Sequence, residues 1–318
     1  MQDRITRRKA LLTLGSAALG LAAGACSHQP TRASTPATDG SIDALLEGAG
    51  QISMLGPTTP VNPGSQTFAF FLVDGQSVVA GAKPSVWFAK DTAAKASGPL
   101  KATWYPMDGY DATHDTSPRS PLAVGVYVTE VDLSSEGTWT IAASVTSGGQ
   151  TLAGTSVVPV TASQLPAALG SKARSVPTPV ATTKRGLEEI CTRTPPDPMH
   201  DISLDDALRN GKPTVVSFAT PLLCESQTCG PVVDEQLLVF EKYGPESANF
   251  IHVEEFLPGK DLRPPPATAQ NLSPAFKAWG FQDEPWVIVI DSKGIIRGRL
   301  GPGVTAAQLI EASLRPLL

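Results

Sequence analysis

From about residue 200 to residue 318 the sequence alternates between helical and strand-like patterns, and this alternation limits the architecture more tightly than any other feature. Ser203–Asp206 starts a short helix with a capping serine and early acidic residues, and Gly211 stops it. Thr214–Phe218 (TVVSF) has the length and β-branched content of a buried strand. Val232–Tyr243 carries apolar residues at 233, 237, 238 and 240, a helical spacing. Phe250–Val253 predicts a second strand, Pro274–Trp279 a short helix, and Trp286–Ile290 a third strand. A turn at Asp291–Gly294 leads into Ile295–Leu300, and Thr305–Leu314 closes the chain as an amphipathic helix. The predicted order is α-β-α-β-α-β-β-α over residues 198–318, an α/β domain.

Residues 49–162 have a different period. Short runs at Thr67–Val73, Ser85–Ala89, Lys101–Tyr105, Val124–Val131 and Gly137–Val145 are separated by Gly, Pro, Asp and Ser, and no useful 3.6-residue period occurs. The expectation is an all-β, immunoglobulin-like sandwich, acting as a docking or spacing module. Asp108, Asp111, His114 and Asp115 lie in a polar loop, "MDGYDATHDTSPRSP", which reads as a loop rather than a metal site.

The ends of these blocks set the compartment. Arg4, Arg7, Arg8 and Lys9 precede an uncharged apolar run from Leu11 to Ala25, the layout of an export signal over residues 1–26. Thr6–Leu12 resembles the twin-arginine export motif, and Ala23-Gly24-Ala25-Cys26 resembles a bacterial lipobox with Ala where Leu is usual. That resemblance implies lipidation at Cys26 and attachment to the outer face of the plasma membrane; cleavage after an alanine would instead give a secreted protein. Residues 27–48 are rich in Ser, Thr, Pro, Ala and Gly and predict a flexible tether, and 163–197 predict a second linker. A net charge of -5 gives no electrostatic case for nucleic acid. With 4 His and 4 Met the chain has no metal-binding tract, and neither metal nor cofactor is expected.

Outside the cytoplasm disulfides persist, so Cys191, Cys224 and Cys229 are candidates for pairing, and three thiols leave one over. "KPTVVSFATPLLCESQTCGPVVDE" resembles the strand, loop and active-site helix of the thioredoxin family. "GFQDEPWVIVIDSKGIIRGRL" is similar to that family's later hairpin, whose strand follows a cis-proline facing the active site. The resemblance implies a thioredoxin-like fold, a catalytic role for Cys224 and Cys229, and a cis Glu284–Pro285 bond that brings Glu284 near the sulfurs and raises their pKa values. It departs from the family in spacing. Two cysteines five apart would sit roughly 140° apart on one helix, so Cys224 must lie in the loop ahead of it, with Cys229 at the helix start as the more acidic thiol.

Several readings remain open at this level. One is a dithiol–disulfide pair exchanging with the thiols and disulfides of exported proteins. Another is a structural Cys224–Cys229 disulfide in a non-enzymatic scaffold. A third is copper handling of the Sco type, which needs a late histidine, although His252 is the last one and Met199-His200 stands earlier. A peroxiredoxin-like peroxidase is a fourth, weakened because Thr220 stands four residues before Cys224 rather than three. Cys191 reads as an additional disulfide partner clipping the linker to the domain, or as a resolving thiol.

Overall fold

The structure, a computed structural model, describes residues 39–109, 119–224, 226–258 and 271–318. The proposed signal, Cys26, and the loop residues Asp111, His114 and Asp115 lie outside them. Among the described residues no helix is long and apolar enough to cross a membrane.

Residues 50–160 form a β sandwich. One sheet is ordered β1 (Gly50–Gln51), β10 (Gln150–Val160), β9 (Gly137–Ser147), β5 (Ser85–Ala89) and β6 (Ser97–Lys101). The other is ordered β2 (Ser53–Leu55), β3 (Gly64–Asp74), β8 (Gly125–Leu133) and β7 (Thr103–Pro106), with β4 (Ser77–Val78) pairing on β3. Inward positions alternate along the long strands, as the two-residue period requires. Phe68, Phe70 and Leu72 of β3 meet Val86 and Phe88 of β5 and Ile141 of β9 in one core. Strand β10, "QTLAGTSVVPV", escaped the sequence reading because its buried residues Ala153 and Gly154 are small and give it no clear alternation.

The chain is ordered before residue 48, so the tether expected there is too long. Ile42–Glu47 forms a helix, α1, capped by Ser41, whose Oγ accepts from the Ala44 N–H at 3.1 Å. Ile42 is fully buried against Ala89, Ala96 and Ala142, an apolar anchor that the Ser/Thr/Pro composition around it obscures.

A smaller α/β region follows. Its four-stranded sheet is ordered β12 (Asn249–Val253), β11 (Thr214–Phe218), β13 (Trp286–Ile290) and β14 (Ile296–Leu300). Strands β11 and β12 are parallel, while β13 runs antiparallel to both β11 and β14. The central strands are buried on both faces, which explains their unbroken apolar runs. Val215, Val287 and Val289 pack beneath α3 (Cys229–Ser247) and α5 (Ala307–Leu314). Val216, Phe218 and Ile288 face α2 (Leu204–Ala207) and α4 (Pro274–Trp279), where Phe218 meets Trp279 at a tilt and Phe281 edge-on. Helix α3 is kinked at Gly244, whose φ of 72° lies outside the helical range, just before Pro245.

The segment read as a linker is a packed strap rather than a loose connection. Residues 170–173 line the open edge of β14: Ile296 N–H donates to Ser171 O at 2.9 Å, and Ala173 N–H to Gly294 O at 2.8 Å. An edge strand needs such partners for its exposed peptide groups. Further on, Arg193 Nε donates to Asp234 Oδ1 of α3 at 2.8 Å, both groups buried.

Sandwich and α/β region share a core, since Val126 and Val128 of β8 pack in the same cluster as Val232 and Val233 of α3. Glu235 of α3 joins three parts: its carboxylate accepts from Gly109 N–H of the sandwich and from Ala307 N–H at the start of α5, each at 2.7 Å. Ala306 offers α5 no side-chain cap, so tertiary structure supplies one. Gly109 comes so close to α3 that a Cβ there would stand 2.5 Å from the Asp234 carbonyl carbon.

Candidate functional site

The loop after β11 carries Cys224, and α3 begins at Cys229, so the five-residue spacing is spent on a turn. The turn closes through Gln227, whose N–H donates to Cys224 O at 3.2 Å and whose φ of 55° is left-handed. Its carbonyl accepts from Ser120 N–H at 2.8 Å, so the sandwich braces the loop. Thr228 caps α3 in position but not with its side chain. The sulfur of Cys224 takes over that task, accepting the Cys229 N–H at 3.3 Å. Ser226 Oγ lies 3.2 Å from the same sulfur.

Both thiols are free, and their acidities are opposite to the expectation. Cys224, not Cys229, is the acidic one. Its pKa is lowered to about 6, chiefly because the Cys229 S–H donates to its sulfur, with Ser226 and the backbone N–H groups of Cys229 and Thr228 adding to the effect. Cys229 is pushed well above its ordinary value, first by complete burial, then by donating to Cys224, then by the nearby Glu284 charge. Position at a helix N-terminus does not decide the matter, because the dipole acts on whichever sulfur points at the free N–H groups. That sulfur belongs to Cys224.

Glu284 does reach the pair: one carboxylate oxygen of Glu284 and the sulfurs of Cys224 and Cys229 all lie within 4.8 Å of one another. The Glu284–Pro285 peptide is cis, as expected. Burial first, with the Cys224 thiolate adding, raises Glu284 to about 7. Behind it stands Glu255, raised to about 10 by burial and by its hydrogen bond and charge contact with Glu284, so it is protonated at neutral pH and donates to Glu284. Sequence reasoning missed Glu255, which follows β12 in an acidic pair with no local pattern to single it out.

Cys191 stands apart from the pair. It is buried with Asp197, His200 and His252, outside the Cys224–Cys229–Glu284 group, so this arrangement does not pair it with either loop cysteine. His252 lies in that second cluster as well. The group beside the two loop sulfurs is therefore a carboxylate rather than the imidazole a Sco-type copper site requires.

No protein-family description matches the sequence, and no curated protein matches it. Among solved structures, the crystal structure of an engineered protein aligns at 17% identity and a TM-score of 0.23, over 35% of this chain and 20% of that one.

Proposed function

We propose that the protein is an exported, membrane-anchored thiol–disulfide exchange protein whose residues 198–318 form a thioredoxin-like domain beside an immunoglobulin-like sandwich. The observation that carries this reading is one hydrogen-bonded thiol pair at the start of α3, with an acidic Cys224, a protonated Cys229 and a carboxyl beside both. The β12-β11-β13-β14 sheet with helices on both faces, and Glu284 beside the thiols just before β13, support the fold assignment.

In the proposed reaction the Cys224 thiolate attacks one sulfur of a client disulfide. The client S–S bond breaks, its other sulfur leaves as thiolate, and a mixed disulfide forms. Cys229 passes its proton to Glu284, which ionises near neutrality, and attacks the Cys224 sulfur. A Cys224–Cys229 disulfide forms, and the second client sulfur departs as thiolate. Two electrons have moved from the pair to the client; an external dithiol resets the pair, and the reverse sequence oxidises a client. Clients are exported proteins, and Cys26 supplies the membrane anchor.

The second reading, a scaffold with a structural thiol pair, is favoured by exposure: Cys224 is 6% exposed and Cys229 is 0%. Trapping separates the two. With Cys229 replaced by alanine, Cys224 should hold mixed disulfides with clients in the cell envelope, and the wild-type pair should titrate between about -120 and -270 mV. A potential below about -300 mV with no trapped partner favours the scaffold.

A further inference from the structure

We propose that Cys191, Asp197, His200 and His252 form a four-ligand site for a divalent zinc-class metal ion, which pins the strap before α2 to the edge strand β12. The site is separate from the thiol pair and independent of the function proposed for it.

The geometry is that of a coordination shell. One donor atom from each residue lies within 4.8 Å of all the others, and all four residues are buried. Asp197 Oδ2 is 2.8 Å from His252 Nδ1 and 3.2 Å from Cys191 Sγ; Cys191 Sγ is 3.9 Å from His252 Nδ1. His200 Nε2 is 3.5 Å from Asp197 Oδ1. Around a tetrahedral zinc with bonds of ~2.0–2.3 Å, ligand atoms are about 3.3–3.6 Å apart. These separations straddle that value, and the remaining donor pairs lie within 4.8 Å of one another.

Two further observations point to a ligand. His200 Nε2 is buried and makes no hydrogen bond among the described residues, the state of a lone pair or N–H that awaits a partner. His252 places Nε2 3.0 Å from the Ala219 carbonyl. A carbonyl only accepts, so Nε2 carries the proton and Nδ1 is turned toward the cluster. Metal-bound histidines are oriented in this way, with the outer N–H on a carbonyl or carboxylate.

The donor set selects the ion. Two imidazoles, one thiolate and one carboxylate make a borderline set that suits Zn²⁺ or Co²⁺, whereas Cu⁺ prefers soft sulfur donors. Thiolate and carboxylate together cancel a 2+ charge, which a buried site requires. Four protein ligands leave no open position, so the site is structural rather than catalytic. It joins Cys191, Asp197 and His200 of the strap to β12, where His252 N–H already donates to Met199 O at 2.9 Å.

The test is metal analysis of the purified protein after chelation and reloading with zinc, paired with cobalt substitution. One tightly held zinc per chain is expected, together with a tetrahedral cobalt spectrum that carries a thiolate-to-cobalt charge-transfer band. Cys191→Ser should abolish that band. His200→Gln should weaken zinc binding beyond the ~10–100-fold typical of losing an outer-shell partner. The Cys224→Ser/Cys229→Ser double variant should keep both metal and band. Substoichiometric zinc with no cobalt band in the wild type overturns the proposal. So does a band that survives Cys191→Ser and disappears with Cys224 and Cys229, which would place the metal at the thiol pair.

Discussion

Replacing Cys229 with alanine tests the division of labour between the two thiols. The largest influence holding Cys224 at about 6 is the S–H of Cys229, which donates to its sulfur. A hydrogen bond to a charged group contributes about 1.5–3 kcal/mol, and ~1.4 kcal/mol corresponds to one pKa unit. Loss of the donor should therefore move Cys224 from about 6 to roughly 7–8. It should not return to the ordinary value, because the Cys229 backbone N–H at 3.3 Å and Ser226 Oγ at 3.2 Å remain in the variant. Cys229→Ser keeps a hydroxyl donor and should fall between wild type and alanine. The assay is the pH dependence of alkylation by iodoacetamide, read by mass spectrometry on the peptide that carries Cys224. In the wild type the rate should reach half its maximum near the lowered value, while buried Cys229 stays unmodified. A wild-type midpoint at the ordinary thiol value, or an alanine variant with an unchanged midpoint, would refute the reasoning.

Glu284→Gln should flatten the pH dependence of stability. The folded carboxyl is raised from 4.5 to about 7, so its contribution is complete below the unfolded value and lost as pH rises through about 7. The variant should accordingly gain about 1–3 kcal/mol over wild type at alkaline pH and little at acidic pH, as measured by urea unfolding; equal gains at both would disprove the assignment. Arg193→Leu leaves the Asp234 carboxylate in α3 without its 2.8 Å guanidinium partner and should cost about 3–5 kcal/mol in the same assay. A loss below about 1 kcal/mol would mean that the strap is not held to α3 by this pair.

Much of the α/β region was legible locally because its elements carry their own signals. Pro274–Trp279 and Trp286–Ile290 were bounded correctly from the sequence: Ser273 and Gly280 cap the first, and the second is an apolar run long enough for one buried strand. Strand β10 and helix α1 were not legible, since their burial depends on a partner sheet rather than on their own hydrophobic pattern. The spacing of Cys224 and Cys229 fixed that one lies in a loop and the other begins a helix. Which sulfur becomes the thiolate was decided by tertiary structure: burial raises Cys229, and the turn through Gln227 aims Cys224 at the free N–H groups. The Cys191 cluster belongs wholly to the tertiary level. Its members stand at 191, 197, 200 and 252, a separation with no motif in it, and they meet because residue 199 hydrogen-bonds along the edge of β12. A sequence determines which segments can bury a face. Only the packed chain determines which distant donors share the space behind that face, since their proximity costs chain entropy that nothing local repays.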